Sequence, residues 1–208
     1  MECAIFGKVG KNCDGATYTP ALGEALRESI KRKHRGRYFY AMQPMAHRVF
    51  GAKIEKWMRK HFVSALWHNA DAIHKANAAG ELGDFVNLLR ARPSVIVAPA
   101  GHATLDIGFD THVVTPPVDA YGEIDRIVAE TLDAIERLGD PIVCFCMGMA
   151  AEVATHRVWS QTQAAWLIDV GSAFDVGLSD GVTRRYFSGI SEDAKARNFA
   201  QPKDGATA

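Results

Sequence analysis

From Pro93 onward, short apolar runs bounded by Pro and Gly alternate with longer stretches of helical period, and this alternation constrains the fold more than any other feature of the chain. Val95-Ile96-Val97-Ala98 is a continuous apolar run stopped by Pro99 and Gly101, and His112-Val113-Val114-Thr115 is a second, stopped by Pro116-Pro117. Both lengths suit strands buried on two faces. Between Gly122 and Leu138 the apolar residues Ile124, Ile127, Val128, Leu132, Ile135 and Leu138 share one face of a helix, which Gly139 and Pro141 end. Ile142 to Cys146 follows as a strand, Met149 to Trp159 as a helix and Ala165 to Val170 as the last strand. The order β, β, α, β, α, β predicts an α/β fold with a mostly parallel sheet flanked by helices and joined by right-handed crossovers. Its strands are expected at 95–98, 112–115, 142–146 and 165–170.

The first ninety residues read as mostly helical, with helices at 21–33, 48–62 and 82–90 and a strand at 37–42. A length of 208 residues suits one domain, expected over 1–188. Residues 189–208 are polar and short of the apolar side chains that offset ordering entropy, so they are expected to form a disordered tail. Lys plus Arg and Asp plus Glu both number 24, so no global field draws a polyanion. Nucleic acid has one place to bind, the basic run Lys31 to Arg37 beside Tyr38-Phe39-Tyr40. The plainer reading of that run is a solvated helix end, where the dipole favours cations and Gly36 stops the helix.

The cysteines at 3, 13, 144 and 146 form no C-x-x-C pair, and Cys144 and Cys146 alternate within an apolar strand as small hydrophobes. No H-E-x-x-H, G-x-G-x-x-G or G-x-x-x-x-G-K-[ST] motif occurs, so no zinc, haem or NAD site is expected. The chain has no long apolar stretch and no basic start followed by one, and it reads as cytoplasmic with no membrane partner.

In parallel sheets, ligands bind outside the carboxyl ends of the strands, where loops diverge and helices present free N–H groups. Those ends carry Gly101 and His102, then Asp119 and Tyr121, then Gly148 and Met149, and finally Asp169, Gly171 and Ser172. His102 is the one histidine in such a loop. The turn at Gly148 and Met149 is either a phosphate cradle or a plain tight turn. Asp169 interrupts an apolar strand, a costly place for a carboxylate unless it reaches water or a partner. With Ser172 and Asp175 close by, it suits a ribose, a sugar hydroxyl or Mg²⁺, and equally a cap on the following turn.

Four blocks together resemble the bacterial and phage glycosyltransferase-like proteins of the GT-D fold: Gly10-Lys11-Asn12-Cys13-Asp14-Gly15, Met42-Gln43-Pro44-Met45-Ala46, Pro116-Pro117 to Tyr121 leading into Ile124-Asp125-Arg126-Ile127, and Leu167-Ile168-Asp169-Val170-Gly171-Ser172. The resemblance implies a Rossmann-like domain that binds a nucleotide-sugar, usually with a divalent metal (Mn or Mg), and transfers the sugar to an acceptor. It places Glu2 at the glutamate of the family's N-terminal Asp-Gly-Glu motif and gives Glu2 and Asp169 the metal and catalytic positions. The donor would lie along Gly101, His102, Asp119, Tyr121, Gly148, Met149, Gly171 and Ser172. The alternative is a non-catalytic nucleotide- or nucleic-acid-binding protein derived from such a fold. Neither the acceptor nor the base that deprotonates it follows from the residues.

Overall fold

The computed structural model describes residues 5–12, 15–31, 37–42, 53, 56–57, 60, 67–178 and 189–201. The chain divides into two compact units, Met1–His74 and Lys75–Ala208. In the first, helix α1 (Pro20–Lys31) begins where Thr19 Oγ1 accepts the Leu22 N–H at 3.1 Å, a hydroxyl cap with proline at the first helical position. Its Leu22, Leu26 and Ile30 recur every four residues and are buried on one face. Strand β1 (Tyr40–Met42) pairs in parallel with β2 (Trp67–Asn69), and the Tyr40 hydroxyl donates to Ser29 O at 2.8 Å. The expected strand at 37–42 is thus confined to its last three residues. Of the helix expected at 48–62, only Lys53, Lys56, Trp57 and Lys60 belong to the described residues, all helical.

Helix α2 (Ala72–Ala79) straddles the boundary between the units. The second unit continues through α3 (Gly83–Ala91), β3 (Ser94–Pro99), β4 (Thr111–Thr115), α4 (Ile124–Leu138), β5 (Ile142–Phe145), α5 (Ala150–Trp159), β6 (Trp166–Asp169) and α6 (Glu192–Phe199). Its four strands form an all-parallel sheet in the order β4-β3-β5-β6, flanked by helices. This is the α/β, parallel arrangement that the alternation predicts, and it is Rossmann-like as the resemblance implies. β3 and β5 occupy the centre and bury every residue from Ser94 to Ala98 and from Ile142 to Phe145, which is why both read as unbroken apolar runs. β6 is less buried, with Trp166 about half exposed.

Helix α4 packs its Ile124, Ile127, Val128, Ala134 and Ile135 against β3, β4 and α5. It ends at Gly139, whose φ of +63° is accessible to glycine without strain and whose N–H returns to Ile135 O at 2.9 Å.

The segment expected to be a disordered tail is ordered from Gly189 to Gln201. Ser191 caps α6 by accepting the Ala194 N–H at 3.2 Å, and Ala194 and Asn198 are buried. Asn198 Nδ2 donates to Asn77 Oδ1 at 2.7 Å and to Asn77 O at 2.9 Å, while its Oδ1 accepts the Leu82 N–H at 2.9 Å. Ala194 joins Val176 and Ile190 in a small core cluster with Phe199 packed against it, but the helix carries only one large apolar residue, at its last position, so apolar periodicity carries no sign of it. α6 also crosses so close to Gly80 that a Cβ there would stand 3.0 Å from Ala194 Cα. Residues 202–208 lie outside the described ones.

Candidate functional site

Because the four strands run parallel, Pro99, Thr115, Phe145 and Asp169 all leave the sheet at one edge. After β3 the chain turns through a 3₁₀ segment, Ala100–Thr104, which carries Gly101 and His102. After β5, Cys146 extends the ladder by donating its N–H to Val97 O at 2.8 Å, and the chain then turns at Gly148 (φ +62°) into α5. After β6, Asp169 Oδ1 accepts the Gly171 N–H at 2.9 Å. Gly171 (φ +55°) and Ser172 lead on to the 3₁₀ segment Asp175–Gly177. No atom lies within 4 Å of where a Cβ would stand at Gly101, Gly148 or Gly171, so three neighbouring turns face open space.

The strand order decides which of these loops meet. β5 lies between β3 and β6, so the loops after β3 and β6 come together across its end: His102 Nε2 stands 3.4 Å from Asp175 Oδ1, with the side chains 6% and 20% exposed. Asp119 and Tyr121 follow β4 on the other side of β3. Three strand spacings, about 14 Å, separate β4 from β6, so Asp119 is not a near neighbour of Asp169. Asp119 takes φ +57°, a left-handed conformation that aspartate tolerates, and its C=O accepts the Gly122 N–H at 3.0 Å.

Asp169 is exposed, and its bond to the Gly171 amide is the turn cap foreseen as one of its two roles. Glu2 lies outside the described residues, as does the basic run except for Lys31 and Arg37. Among the described residues no three His, Cys, Asp or Glu side chains gather as metal ligands. The described part of the edge therefore does not by itself fit the implied Mn or Mg. The sequence reading grouped Asp175 with Asp169; it missed the pairing with His102, which depends on strand order.

Cys144 and Cys146 are buried free thiols, as their alternation in the strand predicts. Burial pushes both thiols up, and for Cys146 the charges of Cys144, Asp175 and Asp169 push further. An unfolded thiol titrates near 8.5, roughly. The stability these two groups carry is therefore complete below about pH 8.5 and declines at higher pH, where the unfolded chain releases protons that the folded chain keeps. Iodoacetamide at pH 8 should label neither residue in the native chain and both in denaturant, as read by peptide mass spectrometry. Native labelling at the rate of a free thiol would contradict this placement.

Compared with protein-family models, curated proteins and solved structures, the chain matches none. Among the described residues no helix is long and apolar enough to cross a membrane.

Proposed function

We propose that the chain transfers a sugar from a nucleotide-sugar donor to an acceptor hydroxyl, with the donor at the carboxyl edge of the sheet. The observation that supports this is the convergence there of open glycine turns after β3, β5 and β6 beside the buried His102 and the partly exposed Asp175. Glycines without Cβ neighbours let a ligand approach the backbone closely. The turn before α5 offers amides and the positive end of a helix dipole to a diphosphate. Stabilising that diphosphate as it leaves is the main electrostatic demand of sugar transfer. Asp169, exposed beside Gly171, is within the same loop for a hydroxyl of the donor. Nucleotide-sugars belong to the cytoplasm, and the reading places the chain there.

The test is thermal shift with UDP-, GDP- and dTDP-sugars, each with and without Mn²⁺. A ligand at a hundred times its Kd stabilises by about 2.7 kcal/mol, so at least one donor should raise the Tm by roughly 5 to 10 °C for a chain of this size. No shift with any donor would overturn the reading. Asp169→Asn keeps the acceptor for the Gly171 amide, so its Tm without ligand should match that of the parent chain. Weaker donor binding in that variant would then report the carboxylate itself.

A further inference from the structure

We infer that Asp175 is the general base that takes the proton from the acceptor hydroxyl, and that His102 is the positioning residue that holds its carboxylate; the inference rests on the sugar-transfer reading. His102 is the most anomalous polar side chain at the edge. It is 94% buried by the complement of its 6% exposure, and neither ring nitrogen makes a hydrogen bond. Leaving buried polar groups without partners carries a penalty that an apolar side chain at the same place would avoid. The polar group that faces the ring is Asp175 Oδ1, 3.4 Å from Nε2. A carboxylate can only accept, so the nitrogen opposite it carries the proton. At 3.4 Å the contact is longer than a formed N–H···O bond, as catalytic hydrogen bonds often are before a ligand closes them.

Asp175 has the complementary placement. It stays 20% exposed although its Oδ1 stands 3.4 Å from the buried ring, so the carboxylate is accessible from solvent. Its main chain is fixed independently: its N–H donates to Ser172 O at 3.1 Å, and its C=O accepts the Leu178 N–H at 3.1 Å. Among the described residues His102 is the side chain that faces it, and no lysine or arginine stands within ion-pair distance. His102 comes from the β3 loop, and the charge of Asp175, like that of Asp169 at the end of β6, raises the pKa of the Cys146 thiol after β5. A partly desolvated carboxylate with one oxygen turned to a positioning N–H can take a proton from a hydroxyl on the other. Asp169 is the weaker candidate, since it is exposed and its Oδ1 is committed to the Gly171 amide.

In the transfer step the acceptor oxygen forms its bond to the anomeric carbon as the bond from that carbon to the diphosphate oxygen breaks. The electron pair of the broken bond leaves on the nucleoside diphosphate. The hydroxyl proton passes to Asp175 Oδ2, while Oδ1 is held by the His102 N–H, and is then lost to water.

The experiment follows nucleoside diphosphate release from UDP-glucose, GDP-mannose and dTDP-glucose, with water and with methyl glucoside as acceptors, alongside calorimetric donor affinity. In Asp175→Asn the donor Kd should stay within about threefold while kcat falls by about a hundredfold or more, the ordinary scale of lost acid–base catalysis. His102→Gln returns an N–H near the Nε2 position and should keep kcat within about tenfold, whereas His102→Phe should fall as far as Asp175→Asn. A parent chain that binds donor and turns it over, with Asp175→Asn equally active, would overturn the base assignment alone. Equal losses in His102→Gln and His102→Phe would overturn the positioning role. A parent chain that neither binds nor cleaves any of the three donors would overturn the sugar-transfer reading, and this inference with it. Should His102→Phe fail to fold, the size-conserving pair His102→Gln and Asp175→Asn still carries the comparison.

Discussion

Asn198→Ala should lower the stability of the second unit by about 3–5 kcal/mol, because the side chain it deletes satisfies three buried groups at once. The Leu82 N–H would lose its acceptor, and the C=O and Oδ1 of Asn77 would lose their donor, with Asn77 and Asn198 both fully buried. Water cannot replace an amide in a space closed on all sides without the structure opening. For a chain of this size the loss amounts to a Tm lower by roughly 6–20 °C. Asn198→Asp, equal in shape, retains the acceptor for Leu82 but sets an oxygen against two oxygens of Asn77, so at neutral pH it should be no more stable than the alanine variant. Urea unfolding followed by circular dichroism reads both. A loss under about 1 kcal/mol for Asn198→Ala would mean that the network is not closed.

That network also reaches the candidate site. Asn77 Nδ2 donates to Ala173 O at 2.7 Å, so α2 and α6 together fix the loop that runs from Asp169 to Asp175. The loop is further tied by the Val170 N–H to Phe145 O and the Ala173 N–H to Val170 O. The segment least expected to be ordered from its composition is thus one of the supports of the carboxyl edge.

How much of this is legible in the sequence depends on whether the information is local. The apolar runs locate β3 and β5 to within one or two residues, because a strand buried on both faces must be apolar throughout, and they locate β4 and β6 as closely although both edge strands are partly exposed, β4 against expectation. The face Ile124, Ile127, Val128, Ile135 locates α4 for the analogous reason, its period of 3.6. α6 escapes the same test because its inward positions are Ala194 and Asn198, neither of which marks an apolar face. The candidate loops are legible, since a parallel sheet must present its strand ends together. The contact between His102 and Asp175 is not: it needs β5 inserted between β3 and β6, and strand order is set by long-range packing that no local pattern records. For the same reason Asp175 reads in sequence as a companion of Asp169, although the structure sets its Oδ1 3.4 Å from His102 Nε2.

Phe174→Ala should be the other severe substitution, costing about 3–5 kcal/mol, the usual range for emptying a fully buried aromatic site. Phe174 has no solvent exposure. Its ring lies parallel to Phe85 of α3 at 6.2 Å between centroids and meets Phe109 edge-on at 6.0 Å. Both arrangements are favoured by the ring quadrupole beyond the area they bury. The cavity would open beside the 3₁₀ segment Asp175–Gly177, whose Gly177 N–H is held by Phe174 O at 2.9 Å. Gly177 itself is pressed between Leu105 and Phe199, where a Cβ would come within 2.8 Å and 3.0 Å of side-chain atoms, so the segment has packed walls on its other side and would move toward the void. Phe174→Ala is therefore expected to displace Asp175 from His102 as well as to destabilise the unit. Phe174→Leu, which refills most of the volume, should recover more than half of the stability and restore the pairing. Urea midpoints give the stability difference, and the ¹⁵N shifts of the His102 ring give the pairing, because a ring that loses its carboxylate partner loses the bias toward the Nε2–H tautomer. If the His102 shifts in Phe174→Ala match those of the parent chain, Phe174 supports the core without steering Asp175.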